Sequence, residues 1–296
     1  MRALVLTSAV VALIGAAPPP AKPLTPSDIV AAASASAWRD IPAEDLLILE
    51  MQGGRTAIIQ LAPLFAPVHV ANIRAFARSN WWEGSTIYRV QDNYVVQWGQ
   101  NETEKPLPKD VVAKPAPEYH RSLKGLAVKP LGYPDAYAPR AGFASGWPIA
   151  YDPKGGTANL THCYGYVGVA RDLAPDTGTG AELYAIIGNA PRQLDRNIAI
   201  VGRVIEGIDQ MSPLPRGTEA LGFYKDPAQR VPITSVKLAS QLTPADQPKF
   251  QQMDVMSATF ASYLRLRANR KDAFYERPAG GVDLCNAPVP VRRKPA

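Results

Sequence analysis

The chain has 296 residues, 46% of them hydrophobic and 20% charged, with a formal net charge of +6 at pH 7. This composition excludes wholesale disorder, and the length suits one sizeable core with extensions, or two small domains. The charge is modest and no basic run is dense enough to follow a phosphate backbone, so no nucleic-acid partner is expected; the tail VRRKPA reads as a solvated end.

The N-terminus MRALVLTSAVVALIGAAPPPAKP places Arg2 before an apolar run, Ala3 to Ile14, and the small residues Gly15, Ala16 and Ala17. That order is the pattern of a secretory signal peptide. The run is too short to span a bilayer as a helix, and no other segment resembles a span. Residues 1–21 are thus expected to be a signal peptide and Pro/Ala-rich lead, the protein exported to a periplasm-like compartment with no stable membrane insertion after processing. The competing reading is an uncleaved anchor. Residues 22–46 form an N-terminal extension in which SDIVAAASASAW predicts a short helix capped near Ser27 or Asp28.

Two strand-like runs follow, DLLILEM and RTAIIQLA, split by Gly53-Gly54, a pair suited to the positive backbone angles of a tight hairpin. In APVHVANIRAFARSN, Val70, Ile73 and Phe76 or Ala77 recur at helical spacing, with Pro67 in the first turn. The next two runs, Ser85 to Val90 and Tyr94 to Trp98, are joined by the turn formers of QDN. Pairing Val90 with Tyr94 sets Arg89 opposite Val95 and puts Ile87, Arg89, Val95 and Gln97 on one face. Residues 100–159 are rich in proline and glycine and poor in periodic apolar segments, so they are expected as a long ordered loop or insertion and not as a domain.

Beyond it come strand-like CYGYVGVAR and ELYAIIG, a strand and short helix beginning near Ile205 in LDRNIAIVGRVIEGIDQMSPL, and a closing strand in ITSVKLA. Residues 241–296 form a C-terminal helical extension, whose FQQMDVMSATFASYLRLRANRKDAFYER sets Met253, Met256, Phe260, Tyr263 and Leu264 in an amphipathic stripe, more suited to packing than to a partner site. Several short strands with few helices suggest a β-barrel or sandwich capped by helices.

Little else in the chain carries chemistry. Cys163 and Cys285 could form one bridge or stand as two buried thiols. Three scattered histidines lack metal spacing: His69 and His120 are expected at the surface, and His162 as a hydrogen-bonded sheet residue. GTGAEL lacks the glycine pattern and preceding strand of a dinucleotide loop, and no nucleophile elbow is present, so no metal or organic cofactor is expected.

The block RTAIIQLAPLFAPVHVANIRAFARSNWWEGSTIYRVQDNYVVQWG resembles the opening half of a cyclophilin-type peptidyl-prolyl cis-trans isomerase. YGYVGVAR, ELYAIIGNAP and LDRNIAIVGRVIEGID resemble its second half in the same order, so the resemblance covers residues 47–240 apart from the insertion. It implies a mainly β fold, a closed eight-stranded barrel with a helix over each end, and a groove for proline-containing polypeptides on its outer surface. Such a site twists an amide through a barrier of about 18–20 kcal/mol without forming a covalent bond. The resemblance assigns the stabilising guanidinium to Arg89 and the orienting, backbone-binding amide to Gln97, as catalytic residues. It also places Tyr94, Val95, Tyr184 and Leu194 on the proline pocket, Ala170 on the backbone-binding strand, and Glu182 and Ile198 at substrate-binding positions.

Several residues depart from the family pattern. Val95 stands for methionine, Glu182 for glutamine, Arg171 for asparagine, Ile198 for an aromatic or imidazole side chain, Gln193 for the tryptophan of some members, and Trp98 for glycine. These changes leave a second reading beside the isomerase: a non-catalytic proline-peptide binding module or holdase that has kept the fold.

Overall fold

In the computed structural model, which describes residues 23–99 and 105–295, the expected signal segment and the first residues of the insertion lie outside the described chain. Eight strands, β1 (Leu46–Met51), β2 (Arg55–Leu61), β3 (Thr86–Val90), β4 (Val95–Gly99), β5 (Tyr166–Val169), β6 (Leu183–Ile186), β7 (Ile200–Glu206) and β8 (Val231–Leu238), close into an antiparallel barrel. The order around it is β5-β6-β4-β3-β8-β1-β2-β7, with β7 returning to β5. Strand alternation explains the filling: Leu47, Leu49 and Met51 of β1 and Ala57, Ile59 and Leu61 of β2 point into one core, and Val96 and Trp98 join them from β4.

Four helices accompany the strands among the described residues: α1 (Pro26–Ala31), α2 (Pro67–Arg78), α3 (Ile208–Met211) and α4 (Ala258–Ala268). Thr25 and Asp28 close a reciprocal capping box at the start of α1. The expected stripe of α2, Val70, Ile73, Phe76 and Ala77, is buried in the barrel core, where each large side chain contributes roughly 1.5–3 kcal/mol. The helix expected from Ile205 is shorter, because β7 runs on to Glu206 and only α3 follows; its Met211 also enters the barrel core.

The insertion is not a loop. Residues 121–160 carry a five-stranded sheet in the order Arg121–Ser122, Thr157–Leu160, Trp147–Asp152, Arg140–Ala144, Lys129–Pro130. Its Ala141 and Phe143 share a second core with Ala37 and Trp38 from the N-terminal extension and Met253, Phe260, Tyr263 and Leu264 from the C-terminal one. Each segment is too poor in apolar residues to bury a core alone, so composition within 100–159 could not reveal one assembled from three parts.

The long C-terminal helix is also corrected. Phe250–Met253 is the central strand of a three-stranded sheet, paired with Trp38–Asp40 on one side and Val291–Arg293 on the other. α4 begins only after Ser257, whose side chain accepts from Phe260 N as an N-cap. Met253 is therefore buried by a strand, while Met256 is 53% exposed.

The insertion sheet also packs outward against the barrel. Ala144, Trp147, Ile149, Ala158 and Leu160 form one apolar cluster with Val95, Tyr184, Ile186 and Ile200. Arg203 of β7 is buried in this interface, its guanidinium carbon 4.5 Å from the Trp147 ring centroid and its Nε and Nη2 donating to Gln60 Oε1 at 3.0 and 2.8 Å. A disulfide between Cys163 and Cys285 ties the segment before β5 to the C-terminal extension.

His69, expected at the surface, is fully buried at the start of α2. Glu118 of the insertion accounts for this: its carboxylate accepts from the backbone of Val68 and His69 and meets His69 Nδ1 at 2.6 Å. One insertion residue thus caps the helix and covers the imidazole.

Candidate active site

The β3–β4 hairpin positions Arg89, through a register different from that expected. Val90 pairs with Val96 and Arg89 with Gln97, because the turn runs from Gln91 to Val95, whose carbonyl accepts from Gln91 N at 2.9 Å. Asn93 takes the positive φ of 49° within it. The register also shifts between Ile87 and Arg89, a bulge at Tyr88. One extra residue reverses the alternation, so Ile87 lies inside the barrel core while Tyr88 and Arg89 both leave it. Ile87 therefore does not share a face with Arg89, Val95 and Gln97.

Outside the barrel, the Arg89 guanidinium is fixed from three sides. Its Nη1 donates to Gln97 Oε1 at 2.8 Å, Nη2 to Gln91 Oε1 at 2.5 Å and Nε to the carbonyl of Leu221 at 2.7 Å. Tyr94 and Phe223 flank it, with ring centroids 5.7 and 5.4 Å from its central carbon. Burial lowers the Arg89 pKa from its ordinary value, partly offset by the neighbouring tyrosines, yet arginine stays charged at working pH. Three of its five N–H groups are thus engaged by neutral oxygens, and the cation is rigid without being neutralised by a carboxylate.

The same polar line continues past Gln97. Gln97 Nε2 donates to Tyr88 Oη at 2.5 Å, and Tyr88 donates to Glu182 Oε2 at 2.6 Å. Burial, then the Glu182 charge, raise the Tyr88 pKa far above its usual range, so the phenol keeps its proton. Glu182 approaches the backbone so closely that a Cβ on Gly99, whose φ is 148°, would sit 2.1 Å from its Oε2. Only glycine fits there.

Beside Arg89 and Gln97 lies an apolar wall. Val95 and Tyr184 are buried in one cluster, and Tyr94, Ala170 and Ile198 pack against it, half-buried. Leu194 is half-buried in the turn Arg192–Leu194 and is not a member of that cluster. Behind the wall, Tyr184 Oη meets His162 Nε2 at 3.1 Å, and His162 Nδ1 meets Asp195 Oδ1 at 2.9 Å. Arg192 holds Asp195 and makes a two-pronged contact to Asp135 of the insertion. His162 is hydrogen-bonded as expected, though in the loop before β5 and not in a strand.

A groove of about 410 Å³ opens next to Gln97, lined by Tyr88, Ala170, Arg171, Asp172, Asp176, Gly178, Thr179 and Glu182. Arg171, one of these lining residues, keeps its charge, its Nε and Nη2 donating to the Asn197 carbonyl and its Nη1 to that of Asp172.

A family model, cyclophilin type peptidyl-prolyl cis-trans isomerase, matches residues 46–238, more than half of the chain. The chain belongs to the cyclophilin-type peptidyl-prolyl cis-trans isomerases. A probable peptidyl-prolyl cis-trans isomerase of Brucella suis biovar 1 is 25% identical over 197 residues, spanning 64% of this chain and 82% of the relative. A peptidyl-prolyl cis-trans isomerase of Acinetobacter baylyi is 23% identical over 180 residues, 59% of this chain and 76% of the relative. In fold, the chain is similar to the crystal structure of cyclophilin AquaCyp293 from Hirschia baltica, with a TM-score of 0.68 at 24% identity, covering 92% of this chain and 99% of that one. This likeness extends over the extensions and insertion as well as the barrel.

Of the residues named from the motif positions of this cyclophilin, Arg89 touches Gln97 and Tyr94, and Gln97, Ala170 and Glu182 line the groove. Val95 and Tyr184 are instead buried, 2% and 5% exposed, in the cluster that the insertion sheet covers, with Tyr94, Ala170 and Ile198 at its margin. Tyr88, Gln91 and Phe223 were not anticipated. Tyr88 is hidden by the bulge, which no local pattern in TIYRV announces, and Phe223 arrives from a loop 134 residues further on, bridging to Arg89 backbone to backbone.

Proposed function

We propose that this cyclophilin isomerises X-Pro bonds in proline-containing polypeptides, with Arg89 as a non-covalent electrostatic catalyst. Uncatalysed exchange takes tens to hundreds of seconds because the amide loses resonance when twisted. A guanidinium held in place can donate to the substrate carbonyl and favour a pyramidal proline nitrogen, stabilising the twisted amide without reorganising first. The observation that carries this reading is the three-sided fixation of Arg89 beside the wall of Tyr94, Val95 and Tyr184. Gln97, with its second Nε2–H, would hold the substrate backbone, Ala170 would offer backbone, and Leu194 and Ile198 would rim the proline ring.

The clients are proposed to be exported proteins. A disulfide between Cys163 and Cys285 suits an oxidising compartment, and the apolar N-terminal run supports the same address.

The test is cis-trans exchange of a short Ala-Pro peptide by NMR, with the protein and Arg89→Ala in parallel. Exchange broadening with the first and a loss of most of it with the second is the expected result. Peptide shifts without exchange from either would replace the isomerase by the proline-peptide binding module.

A further inference from the structure

We infer that Tyr88 and Glu182 form a positioning pair for the catalytic arginine, a reading that rests on the isomerase activity proposed above. Glu182 occupies the place of a family glutamine that contacts substrate, but here its carboxylate receives the Tyr88 hydroxyl at 2.6 Å. From there the chain of donors runs back through Gln97 Nε2 to Tyr88 Oη at 2.5 Å and Arg89 Nη1 to Gln97 Oε1 at 2.8 Å.

The direction of each bond follows from the two ends. Arginine only donates and an ionised carboxylate only accepts. Arg89 therefore turns the Gln97 oxygen toward itself, which leaves Nε2 facing Tyr88. Tyr88 accepts that N–H and has one proton to give, which Glu182 takes. Reversing any link would set two donors or two acceptors face to face, so the charges at the ends select one amide orientation for Gln97 and one hydroxyl rotor for Tyr88. Tyr88 and Gln97 are both buried, 3% and 8% exposed, so solvent does not offer easy substitutes. Packing supports the same arrangement: the Tyr88 ring stacks on Phe223, 5.9 Å between centroids, and the Phe223 ring also flanks the Arg89 guanidinium. Gly99 leaves the space in which Glu182 reaches the hydroxyl. Glu182 acts through Tyr88 and Gln97 on the catalytic group, where the family glutamine would act on the peptide.

The experiment compares Tyr88→Phe, Glu182→Gln, Glu182→Leu and the double variant Tyr88→Phe/Glu182→Leu in the full chain. Steady-state isomerisation is measured together with the NMR signals of the Arg89 Nε–H and Gln97 side-chain amide. Tyr88→Phe keeps the ring and its stacking, and is expected to lower kcat about tenfold with KM within about twofold, since misorientation of a preorganised group falls on the transition state. The Arg89 and Gln97 signals shift, and the unfolding midpoint stays within a few degrees. Glu182→Gln keeps an acceptor oxygen and loses less than Glu182→Leu, and the double variant is no slower than Tyr88→Phe. Unmoved Arg89 and Gln97 signals in Tyr88→Phe, or effects that multiply in the double variant, overturn the pairing. A wild-type protein without isomerase activity would defeat the proposed function alone, because the side-chain signals still decide whether the pair orients Arg89.

Discussion

The hydroxyl of Tyr184 lies 3.1 Å from His162 Nε2, joining the apolar cluster of Val95 and Tyr184 to a buried line of polar groups that ends on Asp135 in the insertion. Asp195 accepts at Nδ1, so Nε2 is the acceptor for the tyrosine proton when the imidazole is neutral. Tyr184→Phe keeps the ring in its buried apolar cluster but strips the buried imidazole of a partner. It is expected to cost about 1–3 kcal/mol of stability while KM for a proline peptide changes less than about twofold. Denaturant unfolding and steady-state kinetics on the same preparation check this; a large KM change with intact stability would make the hydroxyl a substrate contact.

Trp98 is the second prediction. The family has glycine at this position, but here the indole is 1% exposed and fills the barrel core. Trp98→Gly would leave a cavity and add backbone freedom to a strand, for a loss of about 3–5 kcal/mol from the side chain alone. Trp98→Phe should lose less. Equilibrium unfolding of the two variants measures the difference, and a Gly variant as stable as wild type would show that the core collapses around the gap.

Glu118 gives a pH dependence. Burial opposes its charge, but hydrogen bonds from the His69 ring and the Val68 and His69 backbone outweigh burial and lower its pKa from the usual value. A group with a depressed folded pKa contributes stability above its unfolded pKa, about 4.3, and loses it as pH falls through the folded value. Glu118→Gln should therefore lower the thermal midpoint at pH 6 and flatten the acid limb below about pH 4. Parallel melting curves of wild type and variant between these limits would contradict the assignment.

The groove beside Gln97 leads to a preference among substrates. Asp172, Asp176 and Glu182 line it together with Arg171, so the three carboxylates outnumber the one cation among these residues. In peptides carrying Lys or Glu at each of the three positions before proline, at least one Lys substitution is expected to raise kcat/KM several-fold over its Glu counterpart, an advantage that shrinks toward 1 M salt as the Debye length falls to about 3 Å. Equal rates for every Lys and Glu pair at low salt would exclude the groove as a binding surface for basic side chains.

Much of the barrel was legible because its strands alternate and its turns carry Gly53, Gly54 and Asn93. Arg89 and Gln97 were legible because their spacing survives inside a recognisable block. What escaped notice depends on contacts that no window of sequence contains. The bulge at Tyr88 changes the phase of a strand by one residue, which alternation read from either end cannot locate. His69 is buried by a glutamate 49 residues away, and Trp38 pairs with Met253 across 215 positions. The second core is illegible in the sequence for the same reason: its strands are two to six residues long, and their apolar residues make sense only when three distant segments meet.

That discontinuity also orders assembly in time. A chain emerging from its N-terminus holds every barrel strand once Leu238 is available, but Trp38–Asp40 has no pairing partner until Phe250–Met253 follows, and that sheet is completed only by Val291–Arg293. Cys163 must likewise wait for Cys285. The β3–β4 hairpin can close while the unit packed against the barrel is still unfinished, so Cys285 and Val291–Arg293 complete a support for strands made long before them.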